Sequence, residues 1–198
     1  MLGIGIKMLI INNFISSEQQ QSLFEYVSSN QMPYRIYPTY NFGQNDVMKD
    51  KVHSPNQFTH FLYMHGEEKS SPHIKILRPI FDKLQEKCGE ITMFRAKVNV
   101  TYPYPPYMGY QSQVPHTDMA YDDGRKVPHQ VFLYYINDAD GPTYFYNENN
   151  ELIDAIEPKM GRAVIFDGSI LHAGSNPVRF PLRFALNINF RKGKDQTP

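Results

Sequence analysis

Two residues near the middle of the chain have the types and the spacing of metal ligands. His116 and Asp118 form an H-x-D triplet that follows a stretch rich in Tyr, Pro and Gly, YPYPPYMGYQSQVP. On a β-strand, residues i and i+2 point to the same face, so an imidazole nitrogen and a carboxylate oxygen would reach the same point. These are two of the three ligands of the 2-His-1-carboxylate facial triad, which holds Fe(II) and leaves positions open for reactants.

His172 is the best candidate for the third ligand, which has to be a histidine from a distant strand. It follows the strand pattern AVIFDG and a short connection, so we expect it at the start of a strand near the mouth of the fold. On these residues alone, an ordinary hydrogen-bonded pair of His116 and Asp118 in a structural domain is as good an interpretation, because short motifs also match by chance.

Arg183 is a candidate for binding a carboxylate near that metal. It opens the last strong strand pattern, RFALNINF, where an apolar strand would not otherwise favour a charge. A guanidinium is a planar fork that pairs bidentately with a carboxylate, so Arg183 would suit the far carboxylate of a dicarboxylate chelated at the metal. The alternative is a surface arginine. The other arginines of this region are weaker candidates for binding a carboxylate, because of their positions: Arg162, Arg179 and Arg191.

The chain from Ile91 onward consists of short strand patterns separated by turns, which predicts a sandwich or jelly roll. TMFRAKVNVTY alternates, with Val98 and Val100 among the apolar residues of one face and Lys97 and Asn99 among the polar residues of the other. Further strand patterns follow in the order QVFLYYIN, PTYFYN, ELIDAIEP, RAVIFDG and LRFALNINF. Two helices packed against one sheet would complete a mainly β, α+β fold.

The first ninety residues are expected to supply those helices. Ser16 or Ser17 can cap a helix that runs to about Ser29, since apolar residues recur there at helical spacing. A second helix is expected over residues 72–87, with Pro79 inside it as the cause of a kink.

The segment 31–71 is rich in Tyr, Pro and Asn and lacks clear periodicity, so we interpret it as a long loop that flanks a substrate groove. Three histidines of this segment, His53, His60 and His65, fit no ligand spacing and are expected to be exposed or hydrogen-bonded loop residues.

Composition and charge narrow the possible partners and settings. Twenty basic and twenty acidic side chains cancel in a chain of 198 residues, so neither nucleic acid nor an anionic membrane is an expected partner. The apolar N-terminal stretch MLGIGIKMLIINNF is too short to span a bilayer, and nothing else approaches that length. The single Cys88 cannot form an internal disulfide, which favours a reducing, cytoplasmic setting.

From Tyr102 to Phe190 the chain resembles the Fe(II)/2-oxoglutarate-dependent oxygenases, and among them the prolyl hydroxylase branch. The resemblance lies in a series of pieces in a specific order: Tyr102-Pro103 and Gly109-Tyr110 ahead of the H-T-D triplet, DDGR at 122–125, YYIN at 134–137, IEPKMGRAVIF at 156–166, His172, and RFALN at 183–187. It implies one domain over 1–198, with helical support and strands in 1–90, a double-stranded β-helix catalytic core in 91–190 and a tail in 191–198.

The resemblance also implies roles for individual residues. The iron ligands would be the predicted triad of His116, Asp118 and His172. Arg183 would hold the distal carboxylate of 2-oxoglutarate with help from the hydroxyl of Tyr135, and Tyr102 would stand beside the metal. Thr143, in DGPT where the family commonly has a Gly-Gly turn, would lie near the cosubstrate or be structural.

The implied activity is hydroxylation of an unactivated C–H bond with Fe(II), 2-oxoglutarate and O2, with ascorbate as reductant. The implied substrate is a prolyl residue in a protein or peptide, and a small molecule such as a free amino acid is the alternative. Three tyrosines ahead of the triplet, Tyr104, Tyr107 and Tyr110, would form an aromatic wall for an extended peptide or merely cover the sheet edge. A non-catalytic, cupin-like jelly roll is the other class, and Arg183 argues against it because a plain metal binder does not need that charge.

Overall fold

Two antiparallel sheets dominate the computed structural model, which describes residues 8–37, 57–65, 70–103, 112–119 and 127–193. Within these ranges the strands, in chain order, are β1 (Leu9–Ile11), β2 (Arg35–Tyr37), β3 (Gln57–Met64), β4 (Ile91–Thr101), β5 (Gln130–Tyr135), β6 (Thr143–Tyr146), β7 (Leu152–Ile156), β8 (Ala163–Asp167), β9 (Leu171–Gly174) and β10 (Arg183–Lys192). The helices are α1 (Ser17–Val27), a 3₁₀ helix (Pro72–Leu77) and α2 (Arg78–Cys88).

The larger sheet has seven strands in the order β1-β8-β5-β10-β4-β3-β2, and the smaller has three in the order β7-β6-β9. The two longest strands, β4 and β10, pair along their whole length from Arg183 opposite Thr101 to Lys192 opposite Ile91. The predicted strand patterns therefore form strands, and the mainly β fold with two supporting helices is confirmed. Strand β10 continues through Arg191 and Lys192 beyond the expected end of the core, and residues 194–198 of the expected tail lie outside the described residues.

One face of the larger sheet packs on the helices. Ala96, Val98 and Val100 of β4 are buried there, together with Leu23 and Val27 of α1 and Ile80 and Leu84 of α2. The opposite face turns towards the smaller sheet, where Val131, Leu133 and Tyr135 of β5 pack around Phe145 of β6. Since successive strand residues alternate between these faces, polar residues at alternate positions of β4 and β10 are directed into the space between the sheets.

Helix α1 begins as predicted. The side chain of Ser16 accepts from the backbone N–H of Gln19, and the side-chain oxygen of Gln19 accepts from the backbone N–H of Ser16, which makes a capping box. The expected kink at Pro79 is wrong. The chain forms a separate 3₁₀ helix and starts α2 at Arg78, so Pro79 lies in the first turn of α2, where its missing N–H breaks no helical hydrogen bond.

The interpretation of 31–71 as a loop is also wrong for its described parts. Strands β2 and β3 form the edge of the larger sheet, and β3 pairs with β4 from Phe58 opposite Val100 to Met64 opposite Arg95. Gln57 and Thr59 are buried polar residues facing the space between the sheets, and a register shift between Phe61 and Tyr63 interrupts the alternation of β3. His53 lies outside the described residues.

In the described part of the chain, none of the helices is long and apolar enough to cross a membrane.

Candidate active site

His116 and His172 are joined by a short antiparallel bridge. The backbone N–H of each donates to the carbonyl oxygen of the other, both at 3.0 Å, and the ring centroids are 5.0 Å apart. His172 is the second residue of β9, at the strand start that its spacing predicts. The prediction that the H-x-D triplet lies on a strand is wrong, because Asp118 lies in a bend just after the isolated bridge at His116. The two side chains nevertheless converge, because the bridge fixes His116 beside β9.

The three predicted ligands meet at one point. One ligand atom from each of His116, Asp118 and His172 lies within 4.8 Å of those of the other two. The Nε2 atom of His172 is 3.7 Å from Oδ2 of Asp118, whose side chain is only 2% exposed. Two imidazoles and one carboxylate at this separation are the ligand set of a facial metal triad.

Hydrogen bonds set the tautomer of both imidazoles. Nδ1 of His116 is 2.9 Å from the carbonyl oxygen of Val114, and Nδ1 of His172 is 3.1 Å from that of Ile170. A carbonyl only accepts, so each Nδ1 carries the proton and each Nε2 keeps a lone pair free for a metal. Burial and the neighbouring His172 lower the pKa of His116 to about 4, and burial lowers the pKa of His172. Both rings are therefore neutral near neutral pH, as metal ligands must be.

Asp118 is ionised and held from three sides. Burial would raise the pKa of Asp118, but the charge of Arg95, with smaller contributions from the imidazoles and Lys97, holds it well below its usual range. Arg95 donates to Oδ1 at 2.8 Å, while Asn187 and Asn189 donate to Oδ2 at 2.8 and 2.9 Å. A carboxylate offers about four lone-pair positions, so about one is left for a metal, on Oδ1. The donor set therefore fits a divalent ion such as Fe(II).

Arg183 lies at the other end of the same pocket. It is 4% exposed, its Nε donates to the carbonyl oxygen of Gly141 at 2.7 Å, and its Nη2 donates to Oγ1 of Thr143 at 2.8 Å. Among the described residues Nη1 has no hydrogen-bond partner, and the guanidinium lines the pocket shared with the triad. Two contacts fix the fork while donors remain for a carboxylate, which is the arrangement expected for an anchor of a dicarboxylate.

Tyr135 is close to Arg183 but lies one layer away from the pocket. Its ring centroid is 5.4 Å from Cζ of Arg183, and its hydroxyl donates to Oγ1 of Thr143 at 2.8 Å and lies 3.2 Å from the carbonyl oxygen of Ile156. Thr143 lines the pocket, whereas Tyr135 is not among the described residues that do. The structure thus places Thr143 in the lining of the pocket and Tyr135 behind it, in contact with both Thr143 and Arg183.

Tyr102 does not line the pocket that the described residues form. Its ring packs against that of Phe58 with centroids 5.7 Å apart, and the preceding residue, Thr101, lines the pocket in its place. The alternation of β4 is the reason, because Thr101 and Tyr102 point to opposite sides. Other expected positions of the family pattern, Tyr104, Tyr107, Gly109, Tyr110 and DDGR at 122–125, lie outside the described residues.

The sequence reasoning missed the polar floor of the pocket. Lys97, Asn99 and Thr101 of β4 line it next to Asn187 of β10, and Gln113 donates to Gln57 of β3 at 2.8 Å across its edge. The polar face of TMFRAKVNVTY was visible in the sequence, as were the two asparagines of RFALNINF. In strands at the centre of a sheet, polar residues at alternate positions are buried and need partners, so this pattern indicated a site.

Comparisons with known proteins agree with this geometry. Residues 104–191 match the family model of the 2OG-Fe(II) oxygenase superfamily. A search of curated proteins gave no match.

Similar solved structures cover almost the whole chain. A prolyl hydroxylase from Trichoplax adhaerens, in complex with a hypoxia inducible factor oxygen degradation domain peptide fragment, is 19% identical with a TM-score of 0.61, covering 95% of this chain and 84% of that one. The viral collagen prolyl hydroxylase of Paramecium Bursaria Chlorella virus-1, in its 2OG complex, is 16% identical with a TM-score of 0.55, covering 96% and 98%. A non-heme alpha ketoglutarate dependent epimerase from nogalamycin biosynthesis is 7% identical with a TM-score of 0.60, covering 94% and 78%.

These likenesses establish the fold, and the matched segment contains all three residues of the triad as well as Arg183. The resemblance inferred from the sequence is thus confirmed: residues 104–191 carry the sequence pattern of the 2OG-Fe(II) oxygenase superfamily, and the chain has the double-stranded β-helix fold of these enzymes.

Proposed function

We propose that this protein is an Fe(II)- and 2-oxoglutarate-dependent dioxygenase that hydroxylates a C–H bond of a prolyl residue in a protein or peptide. The observation that carries the proposal is that three side chains able to hold a metal ion and a buried guanidinium with donors to spare line one pocket. A metal-binding jelly roll without turnover would gain nothing from burying Arg183, because an isolated buried charge is costly.

Each group has a defined task in this proposal. The Nε2 atoms of His116 and His172 and one oxygen of Asp118 would hold the metal, and the hydrogen bonds from their neighbours keep them oriented. When bound, Fe(II) with 2-oxoglutarate and O2 supplies the oxidising chemistry, and the protein supplies orientation and shielding. Arg183 and Thr143 would bind the distal carboxylate, which positions the cosubstrate against the triad.

The choice of a prolyl substrate is supported by the structural neighbours, two of which are prolyl hydroxylases. A small-molecule substrate, such as a free amino acid, is the second candidate, and one neighbour is a non-heme alpha ketoglutarate dependent epimerase from nogalamycin biosynthesis. The two substrate classes are therefore compared directly in the test.

The test measures succinate formed from 2-oxoglutarate with Fe(II) and ascorbate, in the presence of proline-containing peptides or free L-proline. We expect formation that depends on Fe(II), is stimulated by a peptide, and is absent in His116→Ala. His65→Ala is the matched control, because His65 lies in a turn outside the pocket and should leave succinate formation unchanged. Stimulation by free proline alone would select the small-molecule substrate, and failure of the metal-loaded protein to bind 2-oxoglutarate would contradict the proposed function.

A further inference from the structure

Lys97 lies at the triad end of the pocket. It is in the middle of β4, on the face directed between the sheets, and its cross-strand neighbour on β10 is Asn187, which donates to Asp118. Arg183 pairs instead with Thr101, four residues further along β4, so the two buried cations stand towards opposite ends of one pocket. Lys97 is only 5% exposed, and it lines the pocket.

No described residue neutralises this ammonium by direct contact. Among the described parts of the chain, Lys97 makes neither a side-chain hydrogen bond nor an ion pair within 4.0 Å. The carboxylate of Asp118 is already bound by Arg95, Asn187 and Asn189. Within the described part of the chain, the Oδ1 atom of Asn187, the cross-strand neighbour of Lys97, is buried without a hydrogen-bond partner, so the ammonium does not donate to it.

The charges of the pocket leave room for a further anion. Burial and Arg95 lower the pKa of Lys97 to about 8, while Asp118 opposes this, so the group still carries its proton near neutral pH. The charge of Asp118 is matched by Arg95, and Arg183 is suited to the distal carboxylate of a dicarboxylate. A second carboxylate at the triad end would supply the partner that Lys97 lacks among the described residues, since a buried charge is stabilised mainly when it is paired.

We propose that Lys97 binds a carboxylate beside the triad, as a second anion-binding position opposite Arg183. This inference depends on the proposed function. The carboxylate belongs either to the inner, 2-oxo acid end of the cosubstrate or to the primary substrate, and the two sources share the same chemistry.

The first arm of the test uses Mn(II)-loaded protein and calorimetric titration, so that binding is measured without turnover. The ligands are 2-oxoglutarate and pyruvate, because pyruvate has the 2-oxo acid end but no distal carboxylate. If the cosubstrate is the source, Lys97→Met should weaken the binding of both ligands by about tenfold or more, as expected for the loss of a charge-assisted contact. Arg183→Met should weaken 2-oxoglutarate and leave pyruvate unchanged, and Lys97→Arg should restore much of the affinity.

The second arm compares the acid and amide forms of one candidate substrate, L-proline and L-prolinamide, titrated into Mn(II)-loaded protein that already holds 2-oxoglutarate. A preference for the acid that disappears in Lys97→Met, with unchanged 2-oxoglutarate affinity, assigns the carboxylate to the substrate. Lys97→Met should also be at least as stable to heat as the unsubstituted metal-free protein, because it removes an unpaired buried charge.

The outcomes separate this inference from the proposed function. If Lys97→Met changes neither the binding of the two 2-oxo acids nor the preference for the acid, the role of Lys97 is overturned. If the unsubstituted, Mn(II)-loaded protein fails to bind 2-oxoglutarate at all, the proposed function itself is overturned, and the inference is overturned with it.

Discussion

Arg95 donates a hydrogen bond from Nη2 to Oδ1 of Asp118 at 2.8 Å, in a pair whose side chains are 14% and 2% exposed. The same guanidinium donates from Nε to Oδ1 of Asn189 at 2.9 Å, and Asn189 donates to Oδ2 of Asp118. The three side chains form a closed network that joins β4, β10 and the bend after His116. The carboxylate of the triad is therefore oriented by the protein before any metal binds.

This network predicts that Arg95→Met destabilises the metal-free protein. Removing one member of a buried pair leaves an uncompensated charge, which costs on the order of 3 kcal/mol. Arg78→Met is the matched control, because Arg78 and Asp82 form an exposed pair and such pairs contribute about 1 kcal/mol or less. Thermal or denaturant unfolding of the metal-free variants measures the difference. Since a divalent ion would partly replace the lost positive charge, Mn(II) should stabilise Arg95→Met more than the unsubstituted protein. Equal destabilisation by the two substitutions would show that the network is unimportant.

Arg183→Met should weaken 2-oxoglutarate binding while the triad still binds metal. The guanidinium is fixed by Gly141 and Thr143, so its contact with a carboxylate is pre-organised and worth about 1.5–3 kcal/mol, or roughly a tenfold to hundredfold rise in Kd. Titration of 2-oxoglutarate into Mn(II)-loaded protein measures this, with Arg78→Met again as the control. An unchanged Kd would mean that Arg183 is a structural residue.

Thr143→Val should weaken 2-oxoglutarate binding more than Tyr135→Phe does. Thr143 lines the pocket and contacts Arg183 directly, whereas the hydroxyl of Tyr135 is hydrogen-bonded to Thr143 and lies near the carbonyl of Ile156. Both substitutions remove a buried hydroxyl at nearly constant shape, and each is expected to cost about 1 kcal/mol of stability. Unfolding experiments and titration of the same two variants separate stability from binding. A larger binding loss in Tyr135→Phe would restore the direct role that the resemblance implies for Tyr135.

The metal-free protein should lose stability as the pH falls from about 6.5 towards about 4. Burial and His172 lower the pKa of His116 from 6.5 to about 4, so in this interval the unfolded chain binds a proton that the folded chain does not. The contribution of His116 is on the order of 3 kcal/mol, since one pKa unit corresponds to about 1.4 kcal/mol. Asp118 has a depressed pKa, so its stabilising contribution is lost only at lower pH, below its usual value of 3.8.

Thermal unfolding across this pH interval, with a chelator present, measures the effect. The decline should be shallower in His116→Gln, while His65→Gln, altered outside the pocket, should follow the unsubstituted protein. A decline of the same slope in all three proteins would show that titration elsewhere in the molecule causes it.

Residue types and spacing were sufficient to identify the candidate metal ligands at one end of the pocket and Arg183 at the other. Metal ligation depends on particular side chains, so an H-x-D triplet, a later histidine after a strand and an arginine opening an apolar strand were recognisable without coordinates. The strands that hold them were also predictable, because the alternation of β4 and the apolar run of β10 reflect burial directly. The start of α1 was also predictable, because the capping of the helix by Ser16 depends only on hydrogen bonds between residues close in the chain.

Contacts between residues distant in the chain decided the rest. Whether Tyr102 or Thr101 faces the pocket depends on which face of the sheet each residue takes at the end of β4. Whether Tyr135 lines the pocket depends on the position of Thr143, which lies between the tyrosine and the pocket. Strand β3 was not recognisable because a register shift interrupts its alternation and because its buried inner positions, Gln57 and Thr59, are polar. The sequence shows Lys97 only as one of the polar residues on one face of β4, and its enclosure between the two sheets is a property of the tertiary structure. The burial of a side chain and its hydrogen-bond and ion-pair partners are set by the tertiary structure. They decide which polar residues of a strand line the site.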